Sequence, residues 1–268
     1  MTKHIASEDG TRIAYESSGN GPLLILLDGA LCSRGFGPGE KFARLLEKDF
    51  TVYRYDRRGR GESGDTQPYV PSKEVEDLAA LIQHSGGSAI LLGLSSGAAL
   101  ALHAAAAGLP IDRVLAYEPP YVQEQNAGGV DPGHESHLRQ LVANGNRGGA
   151  VTYFMRDMVG APAFVPIMMR LFFWMWPKLV AVAHTLPYDA AVMTGFRVPR
   201  SRFATITTPV LVMNGAKTDA RLKAAAGAVA EAIPGAHRVE VEGQTHNVKP
   251  AALISAAGTF LAGAKAGR

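Results

Sequence analysis

Two adjacent serines stand where an apolar run gives way to an alanine-rich one, in "AILLGLSSGAALAL", residues 89–102. Gly93, Leu94, Ser95, Ser96 and Gly97 have the spacing G-x-S-x-G, a five-residue pattern that gains meaning only from its flanks. Here the preceding run reads as a buried strand and the following one as a helix. A serine in such a turn is held in a strained conformation, and the flanking glycines relieve crowding against strand and helix. Its hydroxyl sits near the positive end of the helix, a suitable place for a nucleophile. The spacing therefore gives the nucleophilic side chain to Ser95 and leaves Ser96 to supply a backbone N–H.

A serine hydroxyl reacts near neutral pH only with a general base beside it. Of eight histidines, His246 in "VEVEGQTHNVKP" fits best, on a loop after a late strand. His103 falls inside the helix after the serines and is expected to pack; His134 and His137 fall in the flexible start of an insert; His184 is a candidate for touching substrate. The base in turn needs a carboxylate to orient it. Two strand ends offer one, Glu118 after "RVLAYE" and Asp219 after "PVLVMNG", and both should open onto the same sheet edge as Ser95. A developing oxyanion needs two N–H donors. Ser96 supplies one, and the loop in "PLLILLDGALCS" supplies the other from Ala30. Cys32, with no base beside it, reads as a small buried filler.

These residues require a scaffold that brings several strand ends to one edge. Apolar runs at Thr11 to Glu16, Leu23 to Leu27, Thr51 to Asp56, Ala89 to Leu94, Arg113 to Glu118, Pro209 to Asn214 and Arg238 to Glu242 read as strands. Helical patterns alternate with them at Glu40 to Glu47, Ser72 to His84, Ser96 to Ala107, Ala220 to Ala232 and Pro250 to Leu261. The strands are apolar throughout rather than alternating, as expected when helices cover both faces of a parallel sheet. This predicts a doubly wound α/β sheet. The alternation lapses from about Pro119 to Arg202, a helical insert over the C-terminal edge of the sheet. It begins with "NAGGVDPGHES" and holds five of the eight methionines between Met155 and Met175. Those side chains should form the insert's own core, with some of them lining a pocket for an apolar or aromatic ligand.

The 268 residues, 47% of them hydrophobic, suit one large core with an insertion. Basic and acidic residues nearly balance at 27 to 24, and the basic ones are scattered, which disfavours nucleic acid as a partner. A single cysteine excludes an internal disulfide and a cysteine-rich metal site. The N-terminus has no apolar run of signal-peptide length, and no stretch reads as a membrane span. A soluble, cytoplasmic protein with no membrane partner and no metal or organic cofactor is expected.

Taken together, "LLDGA", "YDRRGRGESGD", "GLSSGAALAL" and "EGQTHNV" resemble the α/β-hydrolase superfamily along essentially the whole chain, and are similar to its bacterial, actinobacterial-type serine hydrolases. The resemblance implies an α/β-hydrolase fold: a mostly parallel eight-stranded sheet flanked by helices, with a helical cap inserted after the sixth strand. Residues 1–118 and 203–268 would form the core and 119–202 the cap. It implies a catalytic apparatus more than a substrate; the serine turn, the histidine loop and the chain order Ser, acid, His are what point to a serine hydrolase acting on a carboxylic ester or lactone. Two departures stand out. Asp28 occupies a place where many members carry histidine, and Thr218 stands where the acid is usual. Some members place the acid after the sixth strand instead, which favours Glu118 over Asp219. The arginines of "YDRRGRGESG" correspond to a turn near the active site whose charges pair locally.

Overall fold

The computed structural model describes residues 1–122 and 133–265, so most of "NAGGVDPGHES" lies outside the described residues. Eight strands form one sheet: β1 (Lys3–Ala6), β2 (Arg12–Ser18), β3 (Leu23–Leu27), β4 (Thr51–Tyr55), β5 (Ala89–Leu94), β6 (Ile111–Tyr117), β7 (Val210–Gly215) and β8 (His237–Val241). Their spatial order is β1-β2-β4-β3-β5-β6-β7-β8. β2 runs antiparallel to β1 and β4, and every other neighbouring pair is parallel. The helices are α1 (Gly39–Leu46), α2 (Pro71–Ser85) and α3 (Ser96–Ala106) before β6. Between β6 and β7 come α4 (His134–Ala143), α5 (Arg147–Tyr153), α6 (Phe164–Leu171), α7 (Trp176–Val182), α8 (Leu186–Val192) and α9 (Arg200–Phe203). The chain ends with α10 (Ala220–Ala232), α11 (Pro250–Ala256) and α12 (Gly258–Lys265).

The unbroken apolar strands have a direct cause. Successive side chains point to opposite faces, and here both faces are covered. Leu23, Ile25 and Leu27 of β3 join one core with Leu78 and Leu81 of α2, Ala98 to Leu102 of α3 and Val229 of α10. Leu24 and Leu26 join the other, with Phe42 of α1, Leu253 of α11 and Leu261 of α12. β5 divides in the same way, Ala89 and Leu91 to one side, Ile90 and Leu92 to the other. β1 was not legible, being four residues long with partly exposed or exposed side chains at the sheet edge. The run expected as one helix from Pro250 is broken at Ala257, ahead of Gly258, into α11 and α12.

The chain after β3 turns toward β4, and the chain after α2 returns to the other side of β3 as β5. Such a reversal opens a crevice at the C-terminal strand ends. The loop after β3 and the turn after β5 therefore meet there.

The apolar stretch of the insert divides in a way its composition did not reveal. Met155, Met169, Met175 and Trp176 pack against a cluster that includes Leu138, Val151 and Leu179. Phe164, Ile167, Leu171, Phe173 and Trp174 instead face solvent, Phe173 with 84% of its surface exposed. The reason is geometric: the chain bends by 111° between the short α6 and the helical run from Trp176, so no further layer covers the outer side. His134 and His137 belong to α4 rather than to a flexible segment, and the buried His134 ring packs edge-on against Tyr153 and Phe196. No single helix among the described residues is long and apolar enough to cross a membrane.

The turn from β5 to α3 leaves no room for side chains at its glycines. A methyl group on Gly97 would run into the Leu27 carbonyl, and one on Gly93 into the Gly97 carbonyl and Ala98. Gly97→Ala should therefore destabilise the fold by about 3 kcal/mol, the range for overpacking against fixed backbone. Equilibrium urea denaturation measures this.

Candidate active site

Ser95 joins β5 to α3 with φ 54° and ψ −122°, a conformation that costs a non-glycine residue free energy. Its own N–H donates to the Tyr117 carbonyl at 2.9 Å, and its carbonyl accepts from Ala98 and Ala99. The backbone is thus pinned on both sides and the side chain is presented at the sheet edge. Strain gathers around this point. The other non-glycine residues with positive φ among those described are Leu31, Glu118, Thr194 and Phe196. Leu31 follows Ala30 in the β3 loop, Glu118 follows β6, and Phe196 lines the same cavity as Ser95.

That cavity, of about 300 Å³, is bounded by Ala30, Ser95, Ser96 and His246 on the sheet side. Phe154, Met158 and Phe196 give it an apolar wall from the insert. Lys217, Arg221 and Asn247 add polar groups. Ala30, Ser95, Ser96, His246 and also Asp219, all candidates from the sequence, reach this one space. The loop after β3 passes against the serine: a methyl group on Gly29 would stand 3.2 Å from Ser95 Cβ and 3.8 Å from its Oγ. Ser96 is the first residue of α3, so its N–H has no acceptor within the helix.

Glu118 and Asp219 separate clearly. Glu118 Oε2 lies 2.6 Å from His246 Nδ1, and the carboxylate is fully buried while the imidazole is 41% exposed. With the carboxylate accepting from Nδ1–H, the Nε2 lone pair of His246 is left free. Glu118 Oε1 accepts from the Gly215 N–H at 2.8 Å, and Oε2 also accepts from the Thr218 hydroxyl at 3.2 Å. Thr218, at the place usual for an acid, thus supports the glutamate. Asp219 does other work: it caps α10 through the Arg221 N–H and pairs with the Arg221 side chain, which holds its carboxyl below the usual range. The His246 loop is tied down in its own right. Tyr117 donates to the Thr245 carbonyl at 2.6 Å, and Lys217 N–H to the Gln244 carbonyl at 2.8 Å.

Beneath the serine lies a cluster that sequence reasoning missed. The pairing of the arginine segment is not local. Arg57 donates through Nε and Nη2 to Glu74, at 2.7 Å each, and through Nη1 to Asp189 of α8, 132 positions away, also at 2.7 Å. Arg60 donates to both oxygens of the same aspartate, at 2.8 and 2.7 Å. Arg58 turns elsewhere, to Asp77 and Asp9. The Ser96 hydroxyl donates to Asp189 Oδ1 at 2.7 Å. Burial by itself would raise the Asp189 carboxyl, but Arg60 and Arg57 outweigh it and hold the group below its ordinary range. Nothing in "LPYDAAVM" advertises this aspartate, because its partners lie on distant elements.

His184 does not reach the cavity. It belongs to the turn Ala183–Thr185, whose Thr185 hydroxyl is taken by Arg60. His103 packs as expected: buried, with Nε2 2.9 Å from the Val192 carbonyl, its ring is driven down to about 4 by burial and then by Arg202. The Cys32 thiol is pushed up to about 12 by burial and by Asp28, so it stays protonated.

A strained serine after the fifth strand, a histidine after the eighth and a carboxylate beside it, on this sheet order, define an α/β hydrolase. The chain belongs to the alpha/beta hydrolase family, whose model matches residues 27–259. Among solved structures it is similar to an alpha/beta hydrolase from Sphaerobacter thermophilus DSM 20745, at 47% identity and a TM-score of 0.89, covering 97% of this chain and 100% of that one. It shares its fold with an esterase from Exiguobacterium antarcticum, at 21% identity and TM-score 0.74, over 99% and 100% of the two chains. An esterase from Rhodococcus sp. ECU1013 matches at 22% identity and TM-score 0.66, over 97% and 98%.

Asp28, in the loop beside the serine, sits against Gly37 and Gly39, where added methyl groups would come within 3.6 and 3.0 Å of its Oδ2. Burial pushes its carboxyl up to about 6 against the pull of Arg60, Arg54 and Arg57. An acid whose folded pKa lies above the unfolded one binds its proton more tightly in the native state. Stability is then fully present at low pH and is lost as pH rises from about 4 through about 6. Asp28→Asn cannot ionise and should remove this loss, gaining up to about 3 kcal/mol on the wild type between pH 4 and pH 7. Urea denaturation of both proteins across that range gives the difference directly.

Proposed function

We propose that the protein is a serine hydrolase of carboxylic esters or lactones, acting through an acyl-enzyme on Ser95. The observation that carries this reading is the buried Glu118 bonded to His246 Nδ1, on the same cavity that Ser95 lines from a strained turn. In this reading Ser95 Oγ attacks the substrate carbonyl as His246 Nε2 takes its proton. The carbonyl oxygen becomes an oxyanion held by the N–H groups of Ala30 and Ser96. Collapse of the tetrahedral intermediate expels the alcohol, protonated by His246. Water, deprotonated by the same histidine, then releases the acid. Glu118 keeps the imidazole in the tautomer that leaves Nε2 basic.

The apolar wall of Phe154, Met158 and Phe196 favours an apolar or aromatic substrate of modest size. Thioester or carbon–carbon cleavage, acyl transfer and perhydrolysis would use the same groups, so the class of leaving group is a question for a substrate panel. A non-hydrolytic receptor, or a cyclase or isomerase, would use the pocket without an acyl-enzyme.

A fluorophosphonate should label the folded wild type at Ser95. Ser95→Ala should lose both labelling and turnover of a panel of p-nitrophenyl esters; turnover persisting in this variant would refute the mechanism. Glu118→Gln should lower kcat by about 10³-fold or more, as loss of the orienting acid does in a triad. Asp219→Asn still caps α10 and should change kcat less than about threefold. Steady-state kinetics of the two variants decide between the acids.

A further inference from the structure

The buried arginine–aspartate cluster bonds to the peptide unit that carries the Ala30 N–H, through the Gly29 carbonyl, and to the side chain of Ser96, the two residues of the proposed oxyanion site. We infer that Arg60, locked by Asp189, is a positioning residue that aims the Ala30 N–H at the reacting carbonyl, while Asp189 does the same for Ser96. This inference rests on the hydrolase reading above.

The argument begins with peptide geometry. In a planar trans peptide the C=O and the N–H point in opposite directions. Arg60 Nη1 donates to the Gly29 carbonyl at 2.7 Å. The N–H of that same peptide unit belongs to Ala30, so it is turned away from Arg60. The Gly29 α-carbon passes beside the Ser95 side chain, and Ala30 lines the cavity with it. Holding the carbonyl toward the arginine thus presents the amide to the side where substrate would sit. A cation on the carbonyl also polarises the peptide and strengthens its N–H as a donor.

The holder itself cannot turn. A guanidinium has five N–H donors, and all five of Arg60 are engaged. Nε donates to the Thr185 hydroxyl at 3.0 Å, Nη1 to the Gly29 and Cys32 carbonyls at 2.7 and 3.3 Å, and Nη2 to both Asp189 oxygens. Lysine offers three donors from a single point and cannot reproduce this fork. The residue of the second donor is tied to the same anion through its side chain: Ser96 Oγ donates to Asp189 Oδ1 at 2.7 Å and accepts from Arg57 Nη1 at 3.2 Å. Arg57 and Arg60 are balanced by Glu74 and Asp189. The cluster is therefore close to neutral and acts through direction rather than through net field.

Two variants and three readouts test this: Arg60→Lys and Ser96→Ala, each measured for kcat and KM on p-nitrophenyl butyrate, for inhibition by an alkyl trifluoromethyl ketone, and for Tm. The ketone reports the oxyanion site, because Ser95 Oγ bonds to its carbonyl carbon, the carbonyl electron pair moves onto oxygen, and the serine proton passes to His246. Arg60→Lys should lower kcat by about 30-fold, less than the loss of a whole oxyanion donor, with KM within about threefold. Ketone affinity should fall by the same factor as kcat/KM. Ser96→Ala should show the same pattern at about fivefold. General loosening of the fold would move Tm and KM and leave ketone affinity out of step with kcat/KM, and that result would overturn the inference. So would folded Arg60→Lys with kcat within threefold of wild type. If Arg60→Lys does not fold, Ser96→Ala decides: a parallel loss in kcat and ketone affinity supports the inference, and an unchanged kcat overturns it. A wild type that reacts with neither fluorophosphonate nor ketone would overturn the hydrolase reading and this inference with it. A wild type that reacts while the variants match it overturns the inference alone.

Discussion

The structure around the candidate active site depends on one fully buried carboxylate, Asp189, gripped by two buried arginines. Burying ions is expensive, and a buried pair often contributes little net stability against an apolar replacement. Its worth lies in what it forbids. Removing any one member would leave an uncompensated charge, at a cost of about 3–5 kcal/mol. The insert, the β3 loop, the turn into α3 and helix α2 are consequently held in one relative arrangement. Tyr69 extends the cluster, donating to Glu74 at 2.7 Å and stacking on Tyr188 with ring centres 3.8 Å apart. α8 is therefore seated on the sheet by polar and aromatic contacts together.

A second constraint is the distribution of backbone strain. Ser95 and Glu118 end adjacent parallel strands, and both adopt positive φ. At each, the following backbone is turned abruptly so that the side chain stands at the sheet edge rather than continuing the strand alternation. The free energy of these conformations is offset by the two cores beneath, which bury β3, β5, β6 and β7 on both faces. The rigidity of that sheet permits a 2.6 Å contact between Glu118 and His246 across 128 positions of sequence.

Much of this was legible in the sequence because it depends on short-range pattern. Apolar runs without alternation announced strands covered on both sides, and the glycines around Ser95 announced a turn too tight for side chains. The histidine loop after β8 was readable for the same reason. The choice between Glu118 and Asp219 was not, since each follows a strand that ends on the same edge. In the fold, Thr218 and the Gly215 N–H both donate to Glu118, which lies 2.6 Å from His246 Nδ1, while Arg221 holds Asp219 at the start of α10. The arginine segment was legible as structural but its partners were not: Asp189 is an isolated acid in an apolar helix, and only tertiary packing gives it two cations. The outward-facing side chains of α6 and its neighbours were hidden because composition reports how apolar a segment is and says nothing of how sharply it bends.

The long reach of the Arg60–Asp189 pair also bears on how the chain folds. Contacts between distant positions carry the entropic cost of closing the intervening loop. Strands β3 to β6 and the arginine turn leave the ribosome before Asp189 has been synthesised. Until it arrives, Arg60 lacks the anion that makes its burial tolerable, and the β3 loop lacks a fixed partner. The sheet can begin to assemble from the N-terminal side, but the polar floor beneath the Ser95 turn closes only when α8 docks. Maturation of the site is thereby coupled to completion of the insert, so a chain stalled before residue 189 would carry its serine turn without the geometry around it.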